Sequence, residues 1–186
     1  LTLRTVTGRM AHHSPNMAQV PAIYSPYGKE CRDLWTIDNP DTHVLLGTDA
    51  SGLELRCLAH YMDDPKFTKE VLTGDVHTAN QKMAGLQTRD QAKTFIYALN
   101  TLIQGAGAIV CKQWLVHMDE GIRKAGVDVK LVASVHDEYQ FEVAKTDAER
   151  FGQITKDAML ETTKTLEMQC PLDCEYKIGT TWKETH

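Results

Sequence analysis

Two carboxylates, Asp49 and Asp137, lie where predicted β-strands end. Asp49 follows the apolar run 44–46, and the chain beyond it has the pattern of a helix. Asp137 follows His136 between two β-rich stretches within 129–143, which predicts a hairpin with the acid at its tip. Acids brought together from distant strand ends repel each other, so the arrangement indicates a shared divalent cation and two-metal phosphoryl transfer. Either acid alone is about as often a plain turn residue.

A second group of residues with potential chemistry lies between the two acids. Arg89, Lys93 and Tyr97 are spaced i, i+4, i+8, so they form one stripe of a predicted helix. Thr88 and Gln91 predict a capping box at the start of that helix. A helix N-terminus with two cations on one face suits a triphosphate. Taken alone, the stripe is more simply explained as a solvated basic face with a half-buried Tyr beside it.

The elements that must position these residues predict an α+β fold, with a small antiparallel sheet backed by helices. Residues 1–43 are rich in Pro, Asn, His and Ser and predict irregular chain with short strands. The other predicted elements, in chain order, are strand 44–49, helices 52–61, 65–72, 76–84, 88–97 and 99–124, the hairpin 129–143, helix 147–167 and strand 172–178.

Composition limits the classes of protein that remain. A chain of 186 residues with 42% hydrophobic content can bury one ordinary core. Its net charge of −5, from 20 Lys+Arg against 25 Asp+Glu, argues against tight DNA binding by this chain alone. The sequence has no apolar run long enough for a membrane span and no charged-then-apolar leader.

Five cysteines do not form a paired framework, and an odd count is typical of a reducing compartment. Cys57 and Cys111 lie in apolar, helix-like context and are predicted to be buried thiols. Cys170 and Cys174 have a metal-like spacing, but no second pair or nearby His completes a zinc site. We therefore do not expect zinc.

The motifs together resemble the family A DNA polymerases, most closely those of T7-like phages. Residues Asp49–Arg56 match the first palm motif of that family, and His136-Asp137-Glu138 match the second. The fingers motif, Arg-x3-Lys-x3-Tyr/Phe, is matched by Arg89, Lys93 and Tyr97. Further matches, all in the order of the family, are Thr7–Arg9 with Pro15–Pro21, Gly74–Thr78 and Ala98–Ala108.

The resemblance implies that Asp49 and Asp137 hold two Mg²⁺ ions together with the Ala50 carbonyl, and that Glu138 supports this site. The implied function is template-directed DNA synthesis from deoxynucleoside triphosphates (dNTPs) on a primer-template, by two-metal nucleotidyl transfer, in phage replication. The implied location is the cytoplasm of the host cell, with no membrane partner. A processivity factor on a part of the polymerase outside this chain is a further implied partner.

The resemblance also assigns contacts with the nucleotide. Lys93 would touch the α-phosphate and stabilise or protonate the leaving group, and Arg89 and His77 would grip the outer phosphates. Glu54 would close the space beside the sugar and reject ribonucleotides. Tyr97 would lie over the sugar, where Tyr rather than Phe implies acceptance of dideoxynucleotides. From the residues alone, His77 could instead cap the helix that follows it.

The remaining assigned contacts are with DNA. Arg9, Asn100 and Gln104 resemble residues that reach the minor groove at the primer end, where acceptors recur in every base pair. His136 would touch the primer terminus. For Arg9 the alternative is simple solvation, because it lies in an irregular segment.

Glu54 has a second interpretation from the residues alone. It follows Ser51 by three residues, which is the capping-box spacing, so it would bond the backbone at the start of the helix. The two roles are compatible, because a capping bond would also fix the carboxylate.

The chain departs from the family pattern after Tyr97, where the family continues its fingers and this chain runs directly into Ala98. The resulting division is a first palm part at 1–74, partial fingers at 75–97 and a second palm part at 98–186. Either a segment is absent from the sequence as written, or the gene lacks it. We expect the former, with Tyr97 ending one helix and Ala98 starting another element. Two functional alternatives remain, a non-catalytic palm remnant and a metal-dependent nuclease using the same acids.

Overall fold

The computed structural model describes residues 5–73 and 89–186, with side chains for 5–73 and 102–186. Four antiparallel strands form one sheet in the order β2-β3-β1-β4. This confirms the predicted α+β class. The strands are β1 (His43–Ala50), β2 (Val129–Val135), β3 (Glu138–Ala144) and β4 (Cys174–Gly179).

Helices cover one face of this sheet and flank its ends. A 3₁₀ turn at Met17–Gln19 precedes the first of them. The α-helices of the described residues are α1 (Gly28–Asp33), α2 (Leu53–Met62), α3 (Pro65–Thr73), α4 (Arg89–Ala125), α5 (Ala148–Thr165) and α6 (Trp182–Thr185). The helix expected at 76–84 lies outside the described residues.

The main core lies between the sheet and the helices α4 and α5. Leu46 of β1 and Phe141 of β3 are paired in the register and almost fully buried there. Phe141 meets Phe151 of α5 edge to face, with ring centroids 4.8 Å apart. Trp114 of α4 is fully buried, and its indole N–H donates to the Thr155 carbonyl at 2.8 Å. Aromatic packing therefore fixes both helices to one face of the sheet.

The opposite face of the sheet carries a smaller apolar cluster and the candidate acids. Side chains alternate along a strand, so Asp49 shares this face with Leu45 and Gly47. Leu45 packs there with Trp182 of α6. Gly47 lets α6 approach, because a Cβ at this position would overlap the Thr185 carbonyl oxygen. The main apolar core thus lies on one face of the sheet, and Asp49 lies on the other.

Two expectations about the elements are wrong. In residues 5–42 the structure has short helices and isolated bridges rather than short strands. The expected helix end at Tyr97 is also absent, since α4 is one helix of 37 residues that passes through Tyr97 and Ala98. The helix α4 lies against both α2 and α5, and such contacts stabilise helices in proteins more than propensity does.

Candidate active site

The sheet register brings Asp49 and Asp137 to the same end of the sheet. Asp49 of β1 pairs with Glu138 of β3, and Asp137 immediately precedes Glu138. The Ala50 N–H donates to the Asp137 carbonyl at 3.1 Å, which ties the hairpin tip to the end of β1. Two acids that are far apart in the sequence therefore become neighbours through strand pairing.

The hairpin tip is a two-residue connection, His136-Asp137, as its sequence predicted. His136 has a positive φ of 58°, the sign that tight hairpin turns require at this position. A residue with a Cβ is strained there by about 1–2 kcal/mol. The exposed His136 is thus kept in a conformation that Gly or Asn would adopt more readily, and such strain concentrates at functional sites.

Electrostatics at the acid pair agree with this geometry. Burial raises the pKa of Asp49 to about 7, and the carboxylates of Asp137 and Glu138 push it in the same direction, while His186 acts in the opposite sense. One side of Asp49 nevertheless remains open to solvent. The repulsion expected between two acids from distant strand ends is thus one cause of the raised pKa of Asp49, after burial.

The raised pKa predicts a pH-dependent stability in the absence of divalent cations. The folded state holds the Asp49 proton more tightly than the unfolded state, whose pKa is near 3.8. Stability from this group is therefore complete below pH 3.8 and is lost as the pH rises towards 7. Asp49→Asn should unfold like the parent near pH 4 and a few degrees higher above pH 7, since screening limits an open carboxylate to about 1 kcal/mol. Calorimetry across this range measures the difference, and equal melting curves at every pH would contradict it.

Glu138 is buried and fully engaged by protein donors. The Trp182 indole N–H donates to its Oε1 at 2.6 Å, and the Gln140 amide donates to the same oxygen. His186 Nδ1 lies 2.7 Å from Oε2. Burial alone would raise the pKa of Glu138, but the hydrogen bond and charge of His186, with the Gln140 and Trp182 bonds, hold it below its usual range.

Sequence reasoning missed the partners of Glu138, namely Gln140, Trp182 and His186. A buried carboxylate requires donors, and that requirement is the one signal that could have prompted a search for them. It does not say which residues supply them. Two of the three come from the α6 region, far along the chain from the hairpin.

The capping box expected at Ser51 and Glu54 is wrong. Gly52, at a φ of 58°, is the N-cap, and the helix α2 begins at Leu53 without a side-chain cap. The Ser51 N–H donates instead to the Asp173 carbonyl at 3.0 Å. Because Gly52 adopts the left-handed conformation, the helix starts one residue later and the capping spacing is lost.

Glu54 is bound by Arg9 instead. The Arg9 guanidinium donates to the Glu54 carboxylate at 3.0 Å, and both side chains keep contact with solvent. Arg9 is therefore not simply solvated, which was the alternative for it. Glu54, to which the resemblance gives a nucleotide contact, and Arg9, to which it gives a DNA contact, are thus joined to each other.

The structure predicts a small stability effect at this pair. Glu54→Ala and Arg9→Ala should each reduce the free energy of unfolding by less than about 1 kcal/mol, the usual range for exposed ion pairs. Loss of a capping bond would instead reduce it by up to about 2 kcal/mol, and only for Glu54→Ala. Urea denaturation of both single variants and the double variant separates the two, because an ion pair gives non-additive losses. A larger loss for Glu54→Ala that adds to that of Arg9→Ala would refute the assignment.

The remaining predicted site residues lie on or before α4. Gln104 is half-buried on this helix. Backbone positions on α4 place Asn100 on the same helix, but its side chain lies outside the described residues, as do those of Arg89, Lys93 and Tyr97. His77 lies entirely outside them.

The donor set at the acid pair fits a hard cation with few protein ligands. Asp49 and Asp137 supply carboxylate oxygens, the ligand type that Mg²⁺ prefers, and Mg²⁺ commonly keeps several waters. No three His, Cys, Asp or Glu side chains in the described part of the chain are grouped to hold a metal ion. A site of two acids completed by water and substrate oxygens is therefore the arrangement that these residues can form.

The structure confirms the prediction of buried thiols for two of the five cysteines. Cys57 and Cys111 are buried free thiols, as the sequence predicted. Cys170 packs near Phe67, whereas Cys174 belongs to the main core. Across residues 5–73 and 89–186, none of the helices is long and apolar enough to cross a membrane.

Fold and site together define an α+β domain with a paired-carboxylate site on one face of an antiparallel sheet. The model of DNA polymerase family A matches residues 2–99 and 82–184, nearly the whole chain. The chain belongs to DNA polymerase family A. This confirms the family resemblance of its motifs.

Known relatives support the same placement, and a solved structure shares the fold. The chain is 31% identical to the DNA-directed DNA polymerase of Enterobacteria phage T3 and 30% identical to that of Escherichia phage T7, covering 97% of this chain and 40% of each relative. The POL domain of Pol1 from M. smegmatis, in complex with DNA primer-template and dNTP, shares the fold with a TM-score of 0.73 at 18% identity. That match covers 97% of this chain and 47% of the solved chain.

The alignments also locate a difference in length. The match to the phage T3 polymerase spans 283 residues, whereas this chain has 186 in total. A long stretch of the relative therefore has no counterpart here. The family model matches in two pieces that meet around residues 82–99, which is where the fingers motif ends.

Proposed function

We propose that this chain is the palm, with part of the fingers, of a template-directed DNA polymerase of the T7-like phage type. The observation that carries the proposal is the meeting of Asp49 and Asp137 at one end of the sheet in a family A chain. We propose residues 1–74 and 98–186 as the palm and 75–97 as the partial fingers.

The chemistry proposed for this site is nucleotidyl transfer to a primer from a dNTP. Asp49 and Asp137, with the Ala50 carbonyl, would hold two Mg²⁺ ions, which when bound activate the primer 3′-oxygen and neutralise charge on the triphosphate. Because the pKa of Asp49 is about 7, cation binding near neutral pH displaces a proton from that carboxylate. Glu138, which is held by Trp182 and His186, keeps the start of β3 in place beside Asp137.

The other proposed roles follow the matched motifs. On the nucleotide, Lys93, Arg89 and His77 would bind the phosphates, and Glu54 and Tyr97 would shape the sugar pocket. On the DNA, Arg9, Asn100, Gln104 and His136 would contact the primer end. The contact of Arg9 with Glu54 at the start of α2 supports the proposal that the nucleotide-binding and DNA-binding residues are neighbours there.

Partners and location follow from the same proposal. The parent polymerase would bind primer-template DNA and dNTPs in the host cytoplasm, with a processivity factor as a further partner. The net charge of −5 indicates that this chain contributes little of the electrostatic affinity for DNA.

Two other functions have specific observations behind them. A non-catalytic remnant is favoured by the stretch of the phage relatives that lacks a counterpart here. A metal-dependent nuclease would use the same two acids, but it has no use for the Arg89, Lys93 and Tyr97 stripe. The polymerase proposal accounts for both the acids and the stripe.

A single-nucleotide extension assay tests the proposal. The purified chain is incubated with a labelled primer-template, MgCl₂ and one dNTP at a time. The expected result is a primer longer by one templated nucleotide, with no extension by the other three dNTPs. DNA binding without extension would support the remnant, and Mg²⁺-dependent shortening of the primer would support the nuclease.

A further inference from the structure

We propose that Trp182 and Arg32 are positioning residues of the acid pair, and that both act through the buried carboxylate of Glu138. The inference rests on the proposed function, because it assigns these residues to the same cation site. Neither residue belongs to the motifs described above, and neither is next to Asp49 or Asp137 in the chain.

Glu138 is a fixed acid rather than a cation ligand. It is 3% exposed, and three side chains, Gln140, Trp182 and His186, contact its two oxygens. A carboxylate that accepts this many hydrogen bonds would lose them on turning towards a cation. Glu138 pairs with Asp49 in the register and directly follows Asp137, so a shift of the Glu138 backbone would move both acids.

Trp182 provides a rigid link from α6 to this carboxylate. Its ring is 2% exposed, and its indole N–H donates to Glu138 Oε1 at 2.6 Å. Its backbone N–H donates to the Trp35 carbonyl at 2.9 Å, which fixes the start of α6 to the segment after α1. Trp182 is therefore anchored by two hydrogen bonds, one from its indole ring and one from its backbone.

Arg32 provides a charge behind this link. Its guanidinium lies 4.3 Å from the centre of the Trp182 ring, and its Nε donates to the Pro21 carbonyl at 3.0 Å. Arg32 is 5% exposed, yet its Nη1 has no hydrogen-bond partner. Buried guanidinium groups are normally fully bonded, so a charge kept in this state needs a reason beyond packing.

Trp182 contacts both the Arg32 guanidinium and the Glu138 carboxylate. Burial lowers the pKa of Arg32, and the charge of Glu138 acts in the opposite direction. Arg32 thus holds the Trp182 ring, and the Trp182 N–H holds the Glu138 carboxylate. Without this support the carboxylate would be free to turn outwards, and the start of β3 would move together with Asp137.

Binding of Mn²⁺ alone, measured by electron paramagnetic resonance on the full chain, tests the inference. Trp182→Phe keeps the ring under Arg32 and removes only the N–H donor. We expect it to raise the Kd for Mn²⁺ about tenfold, the usual effect of losing an outer partner of a metal site. Arg32→Gln should shift the Kd in the same direction, which keeps the test valid if Trp182→Phe folds poorly.

Trp114→Phe is the matched control. Trp114, like Trp182, is fully buried and donates its indole N–H, in this case to a carbonyl, but it lies on the other face of the sheet. The variant Trp114→Phe should lose stability as Trp182→Phe does, and its Kd for Mn²⁺ should equal that of the parent. Glu138→Gln completes a thermodynamic cycle, because Trp182→Phe should have no further effect on the Kd in that background.

The outcomes separate the inference from the proposed function. If the parent binds Mn²⁺ and Trp182→Phe binds it equally well, the positioning role is overturned and the cation site stands. Additive effects of Trp182→Phe and Glu138→Gln would likewise overturn it, since Trp182 would not act through Glu138. If the parent itself binds no Mn²⁺, the proposed function fails and this inference fails with it.

Discussion

Asp49→Asn and Asp137→Asn are each expected to reduce Mg²⁺-dependent nucleotide addition about a thousandfold or more. Each change keeps the shape of the side chain and removes the carboxylate of one of the two acids that lie at the same end of the sheet. The fold should remain, because neither side chain belongs to the apolar core. Single-turnover extension of a labelled primer measures the rate, and circular dichroism confirms the fold.

Glu175→Gln is the matched control for this experiment. Glu175 of β4, the neighbour of β1 opposite to β3, pairs with Asp49. It is exposed, and its charge also acts on Asp49. It should change the rate by only a few-fold if the acid pair, rather than the general negative charge, carries the chemistry. Equal losses for Glu175→Gln and Asp49→Asn would show that the site has been assigned to the wrong acids.

Gly47→Ala is expected to destabilise the fold by about 3 kcal/mol, the upper end for overpacking a well-packed site. The new Cβ would overlap the backbone oxygen of Thr185 and the amide of Gln140, so α6 would have to leave the sheet. Glu138 would then lose the donors that α6 carries. Urea denaturation measures the loss.

A second glycine provides the control for Gly47→Ala. Gly105 lies within α4, and a Cβ there would meet nothing nearer than the Thr7 carbonyl at 3.7 Å. Gly105→Ala should stabilise the protein by up to about 1 kcal/mol, because Ala favours helix more than Gly. Similar effects of both substitutions would mean that the contact between α6 and β1 does not limit stability.

Local signals in the sequence were enough to predict the strands that bring Asp49 and Asp137 to one end of the sheet. The β-rich stretches around His136 and Asp137 predicted the hairpin, and the apolar run before Asp49 predicted β1. These elements are specified by residues close together in the chain. The family motifs then indicated that the two acids belong to one site.

The errors have physical causes that local patterns do not contain. Ser51 and Glu54 match a capping box, but the conformation of Gly52 moved the helix start. The departure from the family pattern after Tyr97 led us to expect a helix end there, but α4 is one long helix that contacts α2 and α5. The link from Arg32 to Glu138 joins three distant parts of the chain, and no spacing rule encodes such a contact.

The continuity of α4 has a mechanical consequence. At 1.5 Å per residue its 37 residues form a rod about 55 Å long, without a proline to act as a joint. Tyr97 and Gln104 are separated by about two turns of this rod and so occupy nearly the same side of it. Any rotation at the Arg89 end is carried to Gln104 with the same sign. Under the roles proposed above for Tyr97 and Gln104, their contacts with the incoming nucleotide and with the duplex would therefore move together.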